Sequence, residues 1–228
     1  MAKLNEDVLV EVHGKKYLSV KYTNMADQVE ATIAKLEELL DDKHDKIVGL
    51  DVEYTSPYDG PEQKAAVIQL YVDYRILVFH IRHADRHCQV LTDFLANPAY
   101  TFAGVGIGYD EVMLRRVHLK VKNFVDIQTK WRVPYKQGTS LDGLDDYAAS
   151  VIDSSYSRRI KEGFDPKKDH CRWEDKPLPE KNLRCAAMDA YATFQQLVAY
   201  ARGMQGLNIS NLLLVKGSGS KRKLSERN

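Results

Sequence analysis

The chain has 228 residues, of which 44% are hydrophobic and 29% charged, and its 33 lysines and arginines against 32 aspartates and glutamates give a net charge of +1. That is too much apolar side chain for wholesale disorder, and no run of about 20 apolar residues is present to span a membrane. The near-neutral balance provides no bulk attraction for nucleic acid and leaves only local patches for that role.

The segment YLSVKYT (17–23) alternates as a strand. A helix follows over 25–40, where Val29, Ile33, Leu36 and Leu40 recur at helical spacing and Thr23 or Asn24 can cap the start. IVGLDVEY (47–54) reads as a second strand, and the β-rich runs 65–72 and 74–81 as two more with Asp73 at the turn. A short helix over 90–95 ends at Asn97-Pro98. A strand is expected over 101–107, then a helix over 110–118 with Val112, Met113 and Val117 inward. Residues 141–151 read as helix, 154–180 as irregular and charged, and 183–203 as a long helix closed by Gly203 and Gly206. Early strands and late helices suit an α/β fold, a mixed sheet with helices on its faces. Residues 1–215 read as one domain. Residues 216–228, KGSGSKRKLSERN, read as a flexible tail whose Lys221-Arg222-Lys223 cluster reads as a solvated terminus in preference to a nuclear address or a phosphate contact.

Most acids lie in polar surroundings, but four do not. Asp51 and Glu53 interrupt the apolar run Ile47-Val48-Gly49-Leu50. Two apart on a strand, they share a face, while Val52 points the other way. Paired carboxylates repel, and in apolar surroundings they also lose hydration. A multivalent cation relieves both costs. Asp110 follows Gly104, Gly106 and Gly108 in AGVGIGYD, glycines that permit close backbone approach. By itself it also reads as a helix cap or first-turn acid. Asp189 sits mid-helix, where Asp is poorly suited, among Ala186, Ala187, Ala190 and Ala192. Such small neighbours let another element approach closely.

Taken in order, VGLDVEY, AGVGIGYDEVML, SLDGLDDYAA and RWEDKPLPEKNLRCAAMDAYATFQQL resemble the DEDD 3′–5′ exonucleases. Within them the likeness is to the branch of ribonuclease D and the Werner syndrome exonuclease domain, especially the small stand-alone Werner-like exonucleases of plants. It spans about residues 46–202. The resemblance implies a ribonuclease H-like fold, a mixed five-stranded sheet flanked by helices. It also implies that Asp51, Glu53, Asp110 and Asp189 hold two divalent ions, Mg²⁺ or Mn²⁺. The implied reaction hydrolyses single-stranded DNA or RNA from the 3′ end to nucleoside monophosphates. Hard oxygen ligands agree with such ions over zinc. Two ions ~3.5–4 Å apart stabilise both the attacking and the leaving oxygen of a phosphodiester.

One position departs from the family. There a tyrosine four residues before the last Asp, or a histidine five before it, orients the attacking water; these positions hold Cys185 and Arg184. Tyr191 lies on another part of the helix turn and is no substitute. Three consequences stay open. The metals alone position the water, with slower chemistry, since an orienting group is typically worth ~10²–10⁴-fold. Alternatively Tyr54, His170 or Lys168 takes the role. Or the chain is a catalytically weakened relative that acts in nucleic-acid binding or protein assembly. A buried helical thiol keeps a high pKa, so Cys185 is a poor base. Retention of four mutually repelling acids favours retained activity.

Tyr54, Lys168 and Arg172 are the expected nucleic-acid contacts. Lys161, Lys167, Lys168 and Arg172, with Arg158 and Arg159, form a local basic zone suited to sequence-independent phosphate binding. Asp165, Asp169 and Glu174 dilute it. Trp131, with Lys130, Arg132 and Lys136, can stack on a strand or anchor a loop. His83 and His87, with Cys88 adjacent and His80 nearby, hint at zinc. Yet HIRHADRHCQ is polar and lacks a second ligand pair, so a surface turn is the better account. Asp126 reads as a cap for the following turn. The three scattered cysteines, Cys88, Cys171 and Cys185, and the absence of a secretory signal in MAKLNEDVLVEV point to a reduced, intracellular chain, cytoplasmic or nuclear. No membrane partner is expected. Small members of the resembled family sometimes form rings, so a homo-oligomer stays open.

Overall fold

A computed structural model describes residues 3–12, 17–58, 62–130, 143–156 and 163–203. Three sequence readings lie outside them: the Trp131, Arg132 and Lys136 cluster, the Arg158, Arg159 and Lys161 part of the basic zone, and the 216–228 tail.

The central strands form where the apolar pattern is densest. β3 (Ile47–Tyr54), β4 (Ala65–Val72) and β5 (Arg75–Phe79) pair antiparallel in sequence order, and Asp73, in the left-handed conformation at φ 56°, turns the chain between β4 and β5. β6 (Thr101–Gly104) lies parallel to β3, and β7 (Phe124–Asp126) parallel to β6. The order β5-β4-β3-β6-β7 supplies the expected five-stranded mixed sheet. A hairpin of β1 (Asn5–Glu11) and β2 (Tyr17–Thr23) extends it to seven strands, with β2 parallel to β5. Lys21 meets Asp7 directly across that hairpin at 2.6 Å.

Helices cover both faces. α1 (Ala26–Asp41), α2 (Gln89–Ala96) and α3 (Ile107–Arg115) bury Ile33, Leu36, Phe94 and Leu114 against Val48, Leu50 and Val52 of β3. α4 (Ile127–Lys130) follows β7 directly. The opposite face takes α5 (Leu144–Val151) and α7 (Glu180–Gly203), with α6 (Pro166–Asp169) between them in sequence. Among the described residues no helix is long and apolar enough to cross a membrane.

The structure departs from the sequence reading at several places. β1 was not expected: in NEDVLVE only Val10 is buried, so no apolar alternation marks it. β7 is too short to show a period. The strand expected over 101–107 stops at Gly104, because Gly106 adopts φ 72° and turns the chain into α3. That helix therefore starts before Asp110, and its buried face runs through Ile107, Asp110, Glu111 and Leu114. The shift in phase leaves Val112, expected inward, 42% exposed. Pro at its first turn and the Asp165 side chain, which accepts from the Lys167 amide at 3.0 Å, start α6 inside the stretch read as irregular.

Candidate active site

β3 is the strand on which the site is built. Its odd-numbered residues face α7, and Val48, Leu50 and Val52 anchor the other side in the core. Gly49 decides how near the helix comes. A Cβ there would stand 3.1 Å from the Ala190 carbonyl oxygen and 3.2 Å from Phe194 Cβ. Ala186, Ala187, Ala190 and Ala192 of α7 are buried and thus serve to seat the helix on β3. Asp189, one residue before Ala190, is delivered beside Asp51 and Glu53. Carboxylate oxygens of these three acids lie within 4.8 Å of one another. Among the described residues this is the one group of three or more His, Cys, Asp or Glu side chains placed to share an ion.

Asp110 stands outside that triplet and comes from the opposite layer. Gly104 lies under Ile107, where a Cβ would sit 2.7 Å from Ile107 Cβ. The Gly106 amide donates to Asp126 Oδ1 at 3.1 Å, and the same oxygen accepts from the Gln128 amide at 3.0 Å. Asp126 is therefore structural, as expected, and it fixes the start of α3. Asp110 is 3% exposed, within the first turn but inward. Its Oδ1 accepts a short hydrogen bond from the Tyr54 hydroxyl, and its Oδ2 has no hydrogen-bond partner. Burial, and then the charge of Asp51, hold its carboxyl well above the usual carboxylate range. A register shift between Glu53 and Tyr54 turns the Tyr54 ring toward α3, edge-on to Tyr109 at 5.2 Å. Burial and Asp110 push the Tyr54 phenol up, so it remains a donor.

Cys185 is 3% exposed and its thiol donates to Asp189 Oδ2 at 3.5 Å. Burial and Asp189 push its pKa upward, which keeps it protonated. Tyr191 packs into the core edge-on to Tyr71, 5.7 Å away. Sequence reasoning passed over Gln69. It pairs with Asp51 across the β3–β4 ladder, is fully buried, and neither its Nε2 nor its Oε1 has a hydrogen-bond partner. The signal was present: a single amide at the centre of the apolar run AAVIQLYV.

The donor set suits a hard divalent cation. It is all carboxylate oxygen, and one buried oxygen, Asp110 Oδ2, lacks a hydrogen-bond donor. Beside it runs a groove of about 530 Å³ whose lining includes Glu53, Tyr54, Tyr58, Lys167, His170 and Trp173. Tyr54 thus touches both the acids and the groove. Lys168 and Arg172, singled out with it, do not line the groove. Lys168 Nζ is 3.7 Å from Asp165 and Arg172 Nε 2.7 Å from Asp175. The helical phase of α6 presents Lys167 to the groove instead. The histidines at 80–87 form no joint site. His80 Nδ1 meets the Tyr22 hydroxyl at 3.0 Å, His83 Nε2 the Glu174 carbonyl oxygen at 2.7 Å, and His87 Nε2 the Thr92 hydroxyl at 3.1 Å.

The fold has counterparts among known proteins. The fold is similar to the exonuclease domain of Aedes aegypti Nibbler, with a TM-score of 0.63 at 14% identity over 86% of this chain and 94% of that one. It is similar to Trypanosoma brucei ribonuclease D, with a TM-score of 0.59 at 13% identity over 79% of this chain and 64% of that one. Another structure of that enzyme is its complex with RNA U12. Escherichia coli ribonuclease D, an exoribonuclease involved in structured RNA processing, matches at TM-score 0.58 and 16% identity over 80% of this chain and 45% of that one. The chain thus spans less than two thirds of either ribonuclease D. No curated protein sequence matches it. The ribonuclease H-like sheet with flanking helices is thereby shown. A family model for the 3′–5′ exonuclease domain matches residues 20–199, most of the chain, and the protein belongs to that family.

Proposed function

We propose that the chain is a metal-dependent 3′–5′ exonuclease that hydrolyses a single-stranded 3′ end to nucleoside monophosphates. What carries this reading is the convergence of Asp51, Glu53 and Asp189, with carboxylate oxygens within 4.8 Å of one another, beside the partnerless Asp110 Oδ2. These four side chains would hold Mg²⁺ or Mn²⁺. Two such ions, when bound, offset the clustered negative charge and stabilise charge on the attacking and leaving oxygens.

The remaining work falls to side chains of this chain. The Tyr54 hydroxyl keeps Asp110 Oδ1 occupied, so that Oδ2 is the oxygen offered to a cation. Tyr58, 85% exposed at the groove, offers a ring on which a base can stack. Lys167 supplies a cation for a backbone phosphate. Cys185 holds its proton beside Asp189 and acts as a donor to that carboxylate, not as a base.

The test uses 5′-labelled DNA and RNA oligonucleotides with Mg²⁺ or Mn²⁺. The expected result is a ladder of shortening products that Asp51→Ala abolishes. No ladder on either polymer with either ion would overturn the reading in favour of a binding role. Cys185→Tyr sharpens it. If water orientation limits the rate, a restored tyrosine raises it by up to ~10²-fold. An unchanged or lower rate assigns that task to another residue.

A further inference from the structure

A depression larger than the groove beside the acids lies elsewhere among the described residues. A cavity of about 660 Å³ has the buried side chains of Phe79, Leu91 and Leu119 in its floor. Lys64, Arg82, Arg86 and Arg116 lie along its lining, joined by the exposed imidazoles of His87 and His118. Against these four cations it holds two carboxylates, Glu62 and Glu174. The lining holds more cations than acids, and Asp27 and Glu30, which pair with Arg86, balance that excess, so what matters is which cation stays unpaired.

The cations differ in availability. Arg86 is held by Asp27 and Glu30, and Arg82 by Glu174 at 2.7 Å. The Arg116 guanidinium donates to the Gln63 carbonyl oxygen at 2.6 Å and lies 3.8 Å from Glu62. Lys64 is exposed and forms no ion pair among the described residues. An exposed ammonium costs little to bring to a phosphate, and each such contact releases counterions from the nucleic acid.

Position adds to charge. Tyr54, Gln63 and Trp173 line the acid groove, whereas their chain neighbours Thr55, Lys64 and Glu174 line the cavity. Three adjacent residue pairs therefore form one wall with a depression on either side. Glu174 braces it, accepting from Arg82 at 2.7 Å and from the Ser56 amide at 3.2 Å. The two depressions differ in what they offer a polyanion. The first lies beside the clustered carboxylates, which repel a polyanion until cations are bound. The second offers the unpaired Lys64 ammonium without them.

We infer that the Lys64–Arg116 cavity is a second, metal-independent phosphate site that holds the backbone of the single-stranded substrate upstream of its 3′ end. The inference rests on the exonuclease reading above and adds where the rest of the strand lies. The 3′ terminus enters the acid groove, and the preceding phosphodiesters cross the shared wall into the cavity. Recognition there is of backbone charge, independent of sequence.

Binding in EDTA, followed by fluorescence anisotropy, separates this site from the acids. Wild type is expected to bind an oligonucleotide of ~20 nucleotides without metal but a dinucleotide only when Ca²⁺ or Mg²⁺ is added. Lys64→Glu should weaken the long oligonucleotide by roughly tenfold and flatten its salt dependence by about 0.7 per lost phosphate contact. With Mg²⁺ the same variant should raise KM for the long substrate and leave turnover of the dinucleotide as in wild type. Arg82→Ala, with the melting temperature of each variant as a folding control, should shift affinity the same way by less. Equal affinity and salt slope in wild type and both variants would overturn the inference while leaving the exonuclease reading intact. So would equal weakening of dinucleotide and long oligonucleotide. If wild type neither binds nor degrades any oligonucleotide, the parent reading fails and takes this site with it.

Discussion

His80, His83, His87 and Cys88 crowd into one short segment, whereas Asp51, Glu53 and Asp189 come from distant parts of the chain. In the folded protein His80 and His83 keep ring contact at 4.6 Å but the crowded set gathers no common ion site, whereas the distant set converges. The 80–88 side chains are each occupied by a different neighbour: Tyr22, Glu174, Thr92, and the Ala26 carbonyl oxygen for the Cys88 thiol. The carboxylates meet because β3 holds two on one face and Gly49 lets α7 bring the third against them. Density along the chain is thus a weak guide to a site. What concentrates ligands is the packing of one element on another.

The sharpest way to break this contrast is Asp110→Asn. The rate of 3′-end hydrolysis should fall on the order of 10²–10³-fold. In EDTA the protein should nonetheless become more stable, because a buried carboxyl that Asp51 and burial oppose is replaced by an amide that can still accept from Tyr54. A gain of about 1 kcal/mol is roughly 2–4 °C in a domain of this size. Calorimetry showing a lower melting temperature would mean that Asp110 is stabilised, not opposed, by its surroundings.

Gly49→Val tests the convergence itself. Its side chain would enter space held by Ala190 and Phe194, at a cost of roughly 1–3 kcal/mol, and by displacing Asp189 it should also lower the rate. Chemical denaturation and a hydrolysis assay read the two effects. Full stability with full rate would show that α7 is not seated through this glycine.

On the histidine side the effects are smaller. Burial, and then His83, push His80 down to about 3. Its unfolded value is near 6.5, so between these values the unfolded chain binds more protons than the folded one. Stability should therefore fall as pH falls through that window, by roughly 1 kcal/mol at pH ~5.5. His80→Gln should flatten this part of the profile of melting temperature against pH; an unaltered profile would place the titration elsewhere. Smallest of all is His87→Ala, at an exposed position. It should change stability by no more than ~0.5 kcal/mol and leave the metal content of the purified protein as it was. Zinc lost on that substitution would restore the crowded segment as a site.

Legibility followed the physics of each feature. β3, β4 and α1 were readable because burial on one or both faces writes a period or an unbroken apolar run into the chain. β1 was not, since a strand at the sheet edge exposes both faces and needs no pattern. The inward placement of Asp110 was hidden by Gly106, whose left-handed turn starts the helix earlier and rotates its phase. That rotation also put Val112 outside. Lys168 and Arg172 were chosen as part of a charged stretch, yet the two turns there present Lys167 and His170 to the groove. Gln69 went unread because one amide in an apolar strand gains meaning only beside Asp51.

From the sequence alone came the four acids, the same-face geometry of Asp51 and Glu53, the mixed sheet with its helical layers, and the family likeness. These follow from local rules: a period of two along a strand, a period near four along a helix, and motifs in fixed order. Which acids meet, which of them a tyrosine holds, and that a cavity lined by lysine and arginine shares a wall with the groove were decided by tertiary structure. Each depends on distances between segments remote along the chain, and those distances are set by how closely a glycine and a row of alanines allow two surfaces to pack.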